Sequence, residues 1–233
     1  MAIKRYSRKS LKQPDEFITF SSRLLKTVVL HRNKVVSALA GIVAVVLIVS
    51  GVGYFSKKRE TSAFMLLNKA VAEYESLQKE GSPSEAYEAA KNSLEEIVKT
   101  YGNKMGGKLA NLYLADCSFS AGEFSRAEEL YRKAVKDFSG KAPFDYLAKS
   151  SIGYSLEQQG KYEEAADVFS EISSDDGSIM GDESLFALSR EYGFMGNTDL
   201  QFESARKLMG AYPQSIYVNV LKEKFPALGQ PES

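Results

Sequence analysis

The segment Val35 to Phe55, VVSALAGIVAVVLIVSGVGYF, runs for twenty-one residues without a charged side chain. At about 1.5 Å of rise per residue, a helix of that length covers the roughly 30 Å of a bilayer's hydrocarbon core. A cleaved signal peptide is the rival reading, with Val49 and Gly51 placed like a weak cleavage site. Thirty-four residues precede the run, its length exceeds the usual ~7–15 residues, and Lys57, Lys58 and Arg59 follow it like a stop. The run is therefore read as an uncleaved transmembrane helix over 35–55, and the lipid bilayer as the first partner of the chain.

The formal net charge is zero, but the charges are separated along the chain. Residues 1–34 carry nine Lys/Arg against Asp15 and Glu16, whereas residues 60–233 hold 18 basic and 28 acidic side chains. Near the span the cations balance, with Arg23, Lys26, Arg32 and Lys34 before it and Lys57, Lys58, Arg59 and Lys69 after it. Lys4, Arg5, Arg8, Lys9 and Lys12 tip the balance toward the head. Lys and Arg resist transfer out of the cytoplasm, so the head is expected to be cytoplasmic and the acidic body exported. An acidic body repels phosphates, which argues against nucleic acid as its ligand.

Residues 1–13 are polar and basic and read as a disordered head. Over 14–34, Pro14 and Asp15 form a helix start, and Phe17, Phe20, Leu24 and Val28 follow at helical spacing, with Ile18, Leu25 and Val29 widening the stripe. This predicts an amphipathic cytoplasmic juxtamembrane helix, its cations near anionic headgroups. The other reading of such a stripe is a helix packed on a partner protein. Within the span, Ser37 with Gly41 and Ala40 with Ala44 would permit close packing against another membrane helix.

From residue 60 to 228 the chain reads almost wholly as helices of about twelve to eighteen residues, with no sustained period-2 pattern. Turns are predicted at 79–85, 101–107, 120–125, 138–145, 158–163, 173–183, 196–200 and 211–215, and residues 229–233 form a tail. The stretch GEFSRAEELYRKAV from Gly122 returns thirty-eight residues later as GKYEEAADVFSEI from Gly160. Aligned on Gly122, Gly160 and Gly196, one unit places small residues at Ala115, Ala127 and Ala134 with aromatics at Phe124 and Tyr131. The next has Gly153, Ala165 and Ile172, with Tyr162 and Phe169. Small residues suit places where two antiparallel helices approach closely, and a period near 34–40 marks a helical-repeat solenoid.

This pattern resembles the tetratricopeptide repeat over 108–139 and 146–176. A third unit departs from it, with Ser189, Gln201 and Leu208 at the small positions, and an upstream unit carries Ala90, Leu94 and Ile97. The expected fold is all-α: a single transmembrane helix followed by a tetratricopeptide-like solenoid of about four helix pairs, closed by a capping helix at 215–225. The order of parts, a short basic head, one span and a compact repeat body entered through SAFMLLNKAVAEYESL, is similar to the ancillary SecYEG translocon subunit family (YfgM-like). That resemblance implies a bacterial inner-membrane protein with a periplasmic repeat domain that helps pass newly exported clients to chaperones. It implies the Sec translocon and a membrane-anchored peptidyl-prolyl isomerase as partners. The repeat domain also resembles that of a cell-division coordinator, so a role in envelope assembly or division is the alternative.

Stacked units build a concave surface lined by the first helix of each pair. The alignment puts Leu112, Asp116 and Phe119 there from one unit, Ser150, Tyr154, Glu157 and Gln158 from the next, and Phe186, Arg190 and Phe194 from the third. Aromatic and acidic lining suits an extended peptide or partner helix. The competing reading makes Phe119, Phe186 and Phe194 inter-unit core.

Catalytic chemistry finds no footing in the sequence, and no enzyme, cofactor, metal or small-molecule substrate is expected. His31 is the only histidine and Cys117 the only cysteine, which leaves no triad, disulfide or thiolate cluster. GVGYFS at 51–56 lacks the third glycine of a dinucleotide fingerprint, and VKDFSGKA lacks the upstream glycine and the following Ser/Thr of a phosphate loop. Asp175, Asp176, Asp182 and Glu183 do not match an EF-hand spacing and read as a solvated turn.

Overall fold

The computed structural model describes residues 16–79 and 83–226. The predicted head at 1–13, the first two residues of the juxtamembrane segment, and the tail with the two residues before it lie outside the described residues. Ten α-helices and no strand are found among the described residues: α1 (Glu16–Leu30), α2 (Arg32–Lys79), α3 (Pro83–Tyr101), α4 (Met105–Ser120), α5 (Phe124–Phe138), α6 (Phe144–Gln158), α7 (Tyr162–Ser173), α8 (Gly181–Phe194), α9 (Thr198–Ala211) and α10 (Ile216–Lys224). The fold is all-α, and every junction from α3 to α10 falls at one of the predicted turns; residues 80–82 of the turn predicted at 79–85 lie outside the described residues.

The chain divides into two compact units, Met1–Lys57 and Lys58–Ser233. In the first unit, α2 is the one helix among the described residues long and apolar enough to cross a membrane, and none of its apolar window is buried in the protein. Leu39, Ile42, Leu47, Ile48 and Val52 are all exposed. The juxtamembrane stretch is shorter than its sequence suggests: α1 stops at Leu30, and α2 begins at Arg32. The apolar run is not a helix of its own. It is the first part of a 48-residue helix, Arg32–Lys79, which contains no proline to interrupt it.

The second unit is a succession of antiparallel helices, each packed on the next from α3 to α9, with α10 against α8 and α9. The last turns of α2 supply Leu67, Ala70 and Tyr74 to a core shared with α3 and α4. The small positions of the repeat are closed contacts. Ala115, Ala127, Ala134 and Ala165 are fully buried, and a Cβ added at Gly153 would come within 2.5 Å of the Phe169 ring. In the third unit Ser189 instead donates its hydroxyl to the carbonyl of Gln201 at 3.0 Å, so a polar bond joins α8 to α9 where the earlier units use Ala or Gly. Gly122, Gly160 and Gly196 share φ between +72° and +82°, a left-handed conformation that L side chains resist, and this ends each first helix at the same phase.

Two neighbouring charges on α2 fix the α3–α4 turn. Arg59 donates to the carbonyl of Thr100 at 2.7 Å, in the last turn of α3, and the Glu60 carboxylate accepts the Met105 and Gly106 amides at 3.2 and 2.8 Å, in the first turn of α4. Lys104, the residue before α4, offers no side-chain cap, so the orphan amides are satisfied from α2. Each charge has the sign that complements the helix end it meets. At the other end, Ser215 caps α10 and donates to Asp182 of α8 at 2.7 Å, while Leu185, Ala205, Leu208, Val218 and Leu221 close a terminal cluster. Cys117 is buried in the α2–α4 core at 2% exposure, and burial pushes its thiol up to about 11.

Candidate functional site

Facing stripes of α6 and α8 carry the densest group of polar and aromatic side chains. On α6, Ser150, Tyr154 and Glu157 recur at helical spacing, and on α8 Glu183, Ala187, Arg190 and Phe194 do the same. The other face of α6 is committed to the core through Ala148, Ile152 and Leu156, which sets the phase of the stripe. Tyr154 donates its hydroxyl to Glu183 at 2.7 Å, and Ser150 reaches the same oxygen at 3.3 Å. Arg190 donates to Glu157 and lies 5.4 Å from the Tyr154 ring centroid, a cation–π distance. Burial and the Glu183 carboxylate hold the Tyr154 phenol well above its ordinary range.

Behind this pair lies Glu191, fully buried, with its nearest cation, Arg190, 3.6 Å away and neither carboxylate oxygen hydrogen-bonded. Burial first, and the neighbouring Glu157 second, push the Glu191 carboxyl up to about 8. One guanidinium thus faces two acids, Glu157 and Glu191, while Glu183 is bonded by Tyr154.

At the C-terminal end of α6 this group opens into a cleft of about 410 Å³ lined by Glu157, Gln158, Gln159, Gly160, Tyr162 and Phe194. The left-handed Gly160 turn, with Gly160 donating to the Glu157 carbonyl at 2.8 Å, brings Tyr162 of α7 beside the end of α6. Tyr162 and Phe194 stack at 4.9 Å and 29°, and Phe194 remains 52% exposed. A carboxylate beside an exposed aromatic stack can bind polar and apolar parts of one side chain together.

The residues expected to line a groove are distributed as follows. Tyr154, Glu157 and Arg190 form the cluster above, and Glu157, Gln158 and Phe194 line the cleft. Leu112 is buried at 6% in the main core. Asp116 is exposed and accepts the Tyr131 hydroxyl at 2.6 Å; desolvation raises its carboxyl and that bond opposes the rise. Phe119 packs edge-on against Phe124 at 5.3 Å, and Phe186 stacks on Tyr217 of α10 at 4.6 Å. The α7–α8 acids have separate duties: Asp175 accepts the Gly177 amide and the Tyr146 hydroxyl, Asp182 accepts Ser215, and Glu183 belongs to the cluster. Glu183, read from the sequence as part of a solvated turn, instead accepts the Tyr154 and Ser150 hydroxyls, and Glu191 escaped the sequence reading. For Glu191 the usable signal is its helical spacing from Ser184, Ala187 and Leu188, which places it on the buried stripe of α8.

A family model described as a tetratricopeptide repeat-like domain matches residues 31–177, more than half of the chain. Among solved structures, the chain is similar to kinesin light chain TPR-like repeats of Podosopora anserina, at 16% identity and a TM-score of 0.54, over 64% of this chain and 76% of that one. It is also similar to a double mutant of MamA of Desulfovibrio magneticus RS-1, at 16% identity and a TM-score of 0.51, over 70% of this chain and 89% of that one. At such identities the likeness shows the fold alone. No curated protein sequence matches the chain.

Proposed function

The chain belongs to the tetratricopeptide repeat-like domain family, and from that premise we propose that it is a non-enzymatic, membrane-anchored scaffold whose repeat body binds partner proteins. The observation that carries this reading is the α6–α8 face, where Phe194 stands exposed on Tyr162 beside Glu157 at the mouth of an open cleft. Exposed aromatic anchors next to charge are what helical-repeat proteins use to hold peptides and helices. In the fuller form of the proposal α2 anchors the body in a bacterial inner membrane, with the head cytoplasmic and the repeats periplasmic. The partners are then the Sec translocon, a membrane-anchored peptidyl-prolyl isomerase and newly exported clients. The charge split, the apolar run and the resemblance in order of parts support it.

The test is site-specific photocrosslinking from position 194 in cells, after single cysteines at Ser7 and Ser178 in a Cys117→Ala background have been labelled with a membrane-impermeant thiol reagent. Labelling at 178 alone, with crosslinks to a Sec component or an exported client, is the expected result. Labelling at 7 alone would end the periplasmic reading. Crosslinks confined to division proteins, with unchanged secretion on deletion, would transfer the scaffold to envelope assembly or division.

A further inference from the structure

The three junctions between successive first helices share one construction but not one filling. In each, an aromatic residue stands near the start of the second helix: Tyr87 four residues into α3, and Phe124 and Tyr162 as the first residues of α5 and α7, thirty-eight residues apart. At the middle junction the chain fills its own space. Phe119 covers Phe124, Lys161 approaches Glu128 at 3.6 Å, and Gln159 bonds both Ser125 and Glu128. Thirty-eight residues after Phe119 stands Glu157, so the covering ring is replaced by a carboxylate, and the third junction is the 410 Å³ cleft walled by Glu157, Tyr162 and Phe194.

The first junction is open as well. A cleft of about 440 Å³ there is lined by Tyr74, Gln78, Tyr87, Glu88, Cys117, Ser120, Ala121 and Glu123. Of the two carboxylates in its wall, Glu88 is paired with Lys91 at 3.6 Å, which also lies 5.7 Å from the Tyr87 ring centroid, and Glu123 is the other; the Tyr87 hydroxyl, on a residue 9% exposed, is buried without a hydrogen-bond partner. A buried hydroxyl left unpaired is costly, and its oxygen can accept from the N–H of a cationic ligand. In the third cleft Glu157 meets Arg190 on its inner side, and the six residues that line the cleft include no cation.

Resting on the scaffold reading, we propose that the two open junctions are subsites for the Lys or Arg side chains of a basic, extended segment of a partner protein. The methylenes lie along Tyr162 and Phe194, or along Tyr74, and the cationic head meets Glu157, or Glu123, since Glu88 already has Lys91. The middle junction shows the same chemistry satisfied internally, with Lys161 in the place of the partner's cation. The charge of the body, 18 basic against 28 acidic side chains over residues 60–233, attracts the same class of segment.

The probe is a short fluorescein-labelled peptide of alternating arginine and serine, compared with the same peptide carrying citrulline for arginine. Anisotropy is read with the full chain in detergent micelles. The arginine peptide is expected to bind at least about tenfold more tightly than the citrulline peptide, and Phe194→Ala and Glu123→Gln each to weaken it severalfold. Glu163→Gln with Glu164→Gln on the exposed face of α7 removes equal or greater charge and is expected to change little; circular dichroism confirms that each variant stays folded. Equal binding of the two peptides, or equal loss in the cleft and α7 variants, overturns the proposal. Crosslinks from position 194 to a client without any preference for arginine would sink these subsites and leave the scaffold standing.

Discussion

The Glu60 carboxylate accepts the amide of Gly106 at 2.8 Å across forty-six residues of sequence, and a Cβ at Gly106 would lie 2.8 Å from that of Ala63. The cap and the close approach hold α4 against the last part of α2. Replacing Glu60 by Gln keeps the shape and removes the charge, while Glu60→Ala removes both. Glu60→Ala is expected to cost roughly 0.5–2 kcal/mol, seen as a lower melting temperature by circular dichroism, with Glu60→Gln in between.

Glu191 sets a pH dependence. Its folded carboxyl is raised to about 8, whereas in an unfolded chain it sits near 4.3. Between those values the folded state binds more protons than the unfolded one, so stability falls as pH rises through that window and levels off above it. Glu191→Gln removes the titration. The variant is expected to melt progressively higher than the parent from pH 5 to pH 8, with the difference fading below pH 4; a constant difference would mean that Glu191 does not titrate in this way.

Two glycines serve different ends, and alanine separates them. Gly153→Ala drives a methyl into the fully buried Phe169 ring and is expected to cost about 1–3 kcal/mol by overpacking. At Gly160 nothing lies within 4 Å of an added Cβ, and only the φ of +73° resists, so Gly160→Ala is expected to cost about 1–2 kcal/mol. Asparagine, which tolerates that conformation, should recover part of the loss at 160 and none at 153, as urea titration would reveal.

Phe186 and Phe194 came from the same stripe of sequence but divide by environment. Phe186→Ala opens the stack on Tyr217 that seats α10 and is expected to cost about 3 kcal/mol or more. Phe194 is half exposed, so Phe194→Ala should shift the melting temperature only slightly while reducing crosslinking to partners. Comparable thermal losses in both would make Phe194 a core residue.

Repeat positions were legible in the sequence because each is governed by local chemistry. A turn that needs positive φ asks for glycine wherever it recurs, as at 122, 160 and 196, and a close helix pair asks for Ala or Gly at a fixed offset. The uninterrupted α2 was less legible, since a change from apolar to charged residues at 56–59 looks like a boundary although a helix tolerates it. The Arg59 and Glu60 contacts were not legible at all: their partners lie forty-one to forty-six residues away, and Arg59 reads only as part of a basic cluster with Lys57 and Lys58. Glu183 and Glu191 share that difficulty. A glutamate on a helix is ordinarily solvated, and only the packing of α8 against α6 buries one and bonds the other.

The placement of Cys117 has a practical consequence for kinetics. With its thiol only 2% exposed in the wall of the first cleft and held largely unionised, it reacts slowly with a disulfide reagent unless that wall opens further. The rate of modification of the unaltered chain is therefore a residue-specific timer of breathing where α2 joins the repeats. Bound partner that tightens this junction should slow the reaction, without any label having to be introduced.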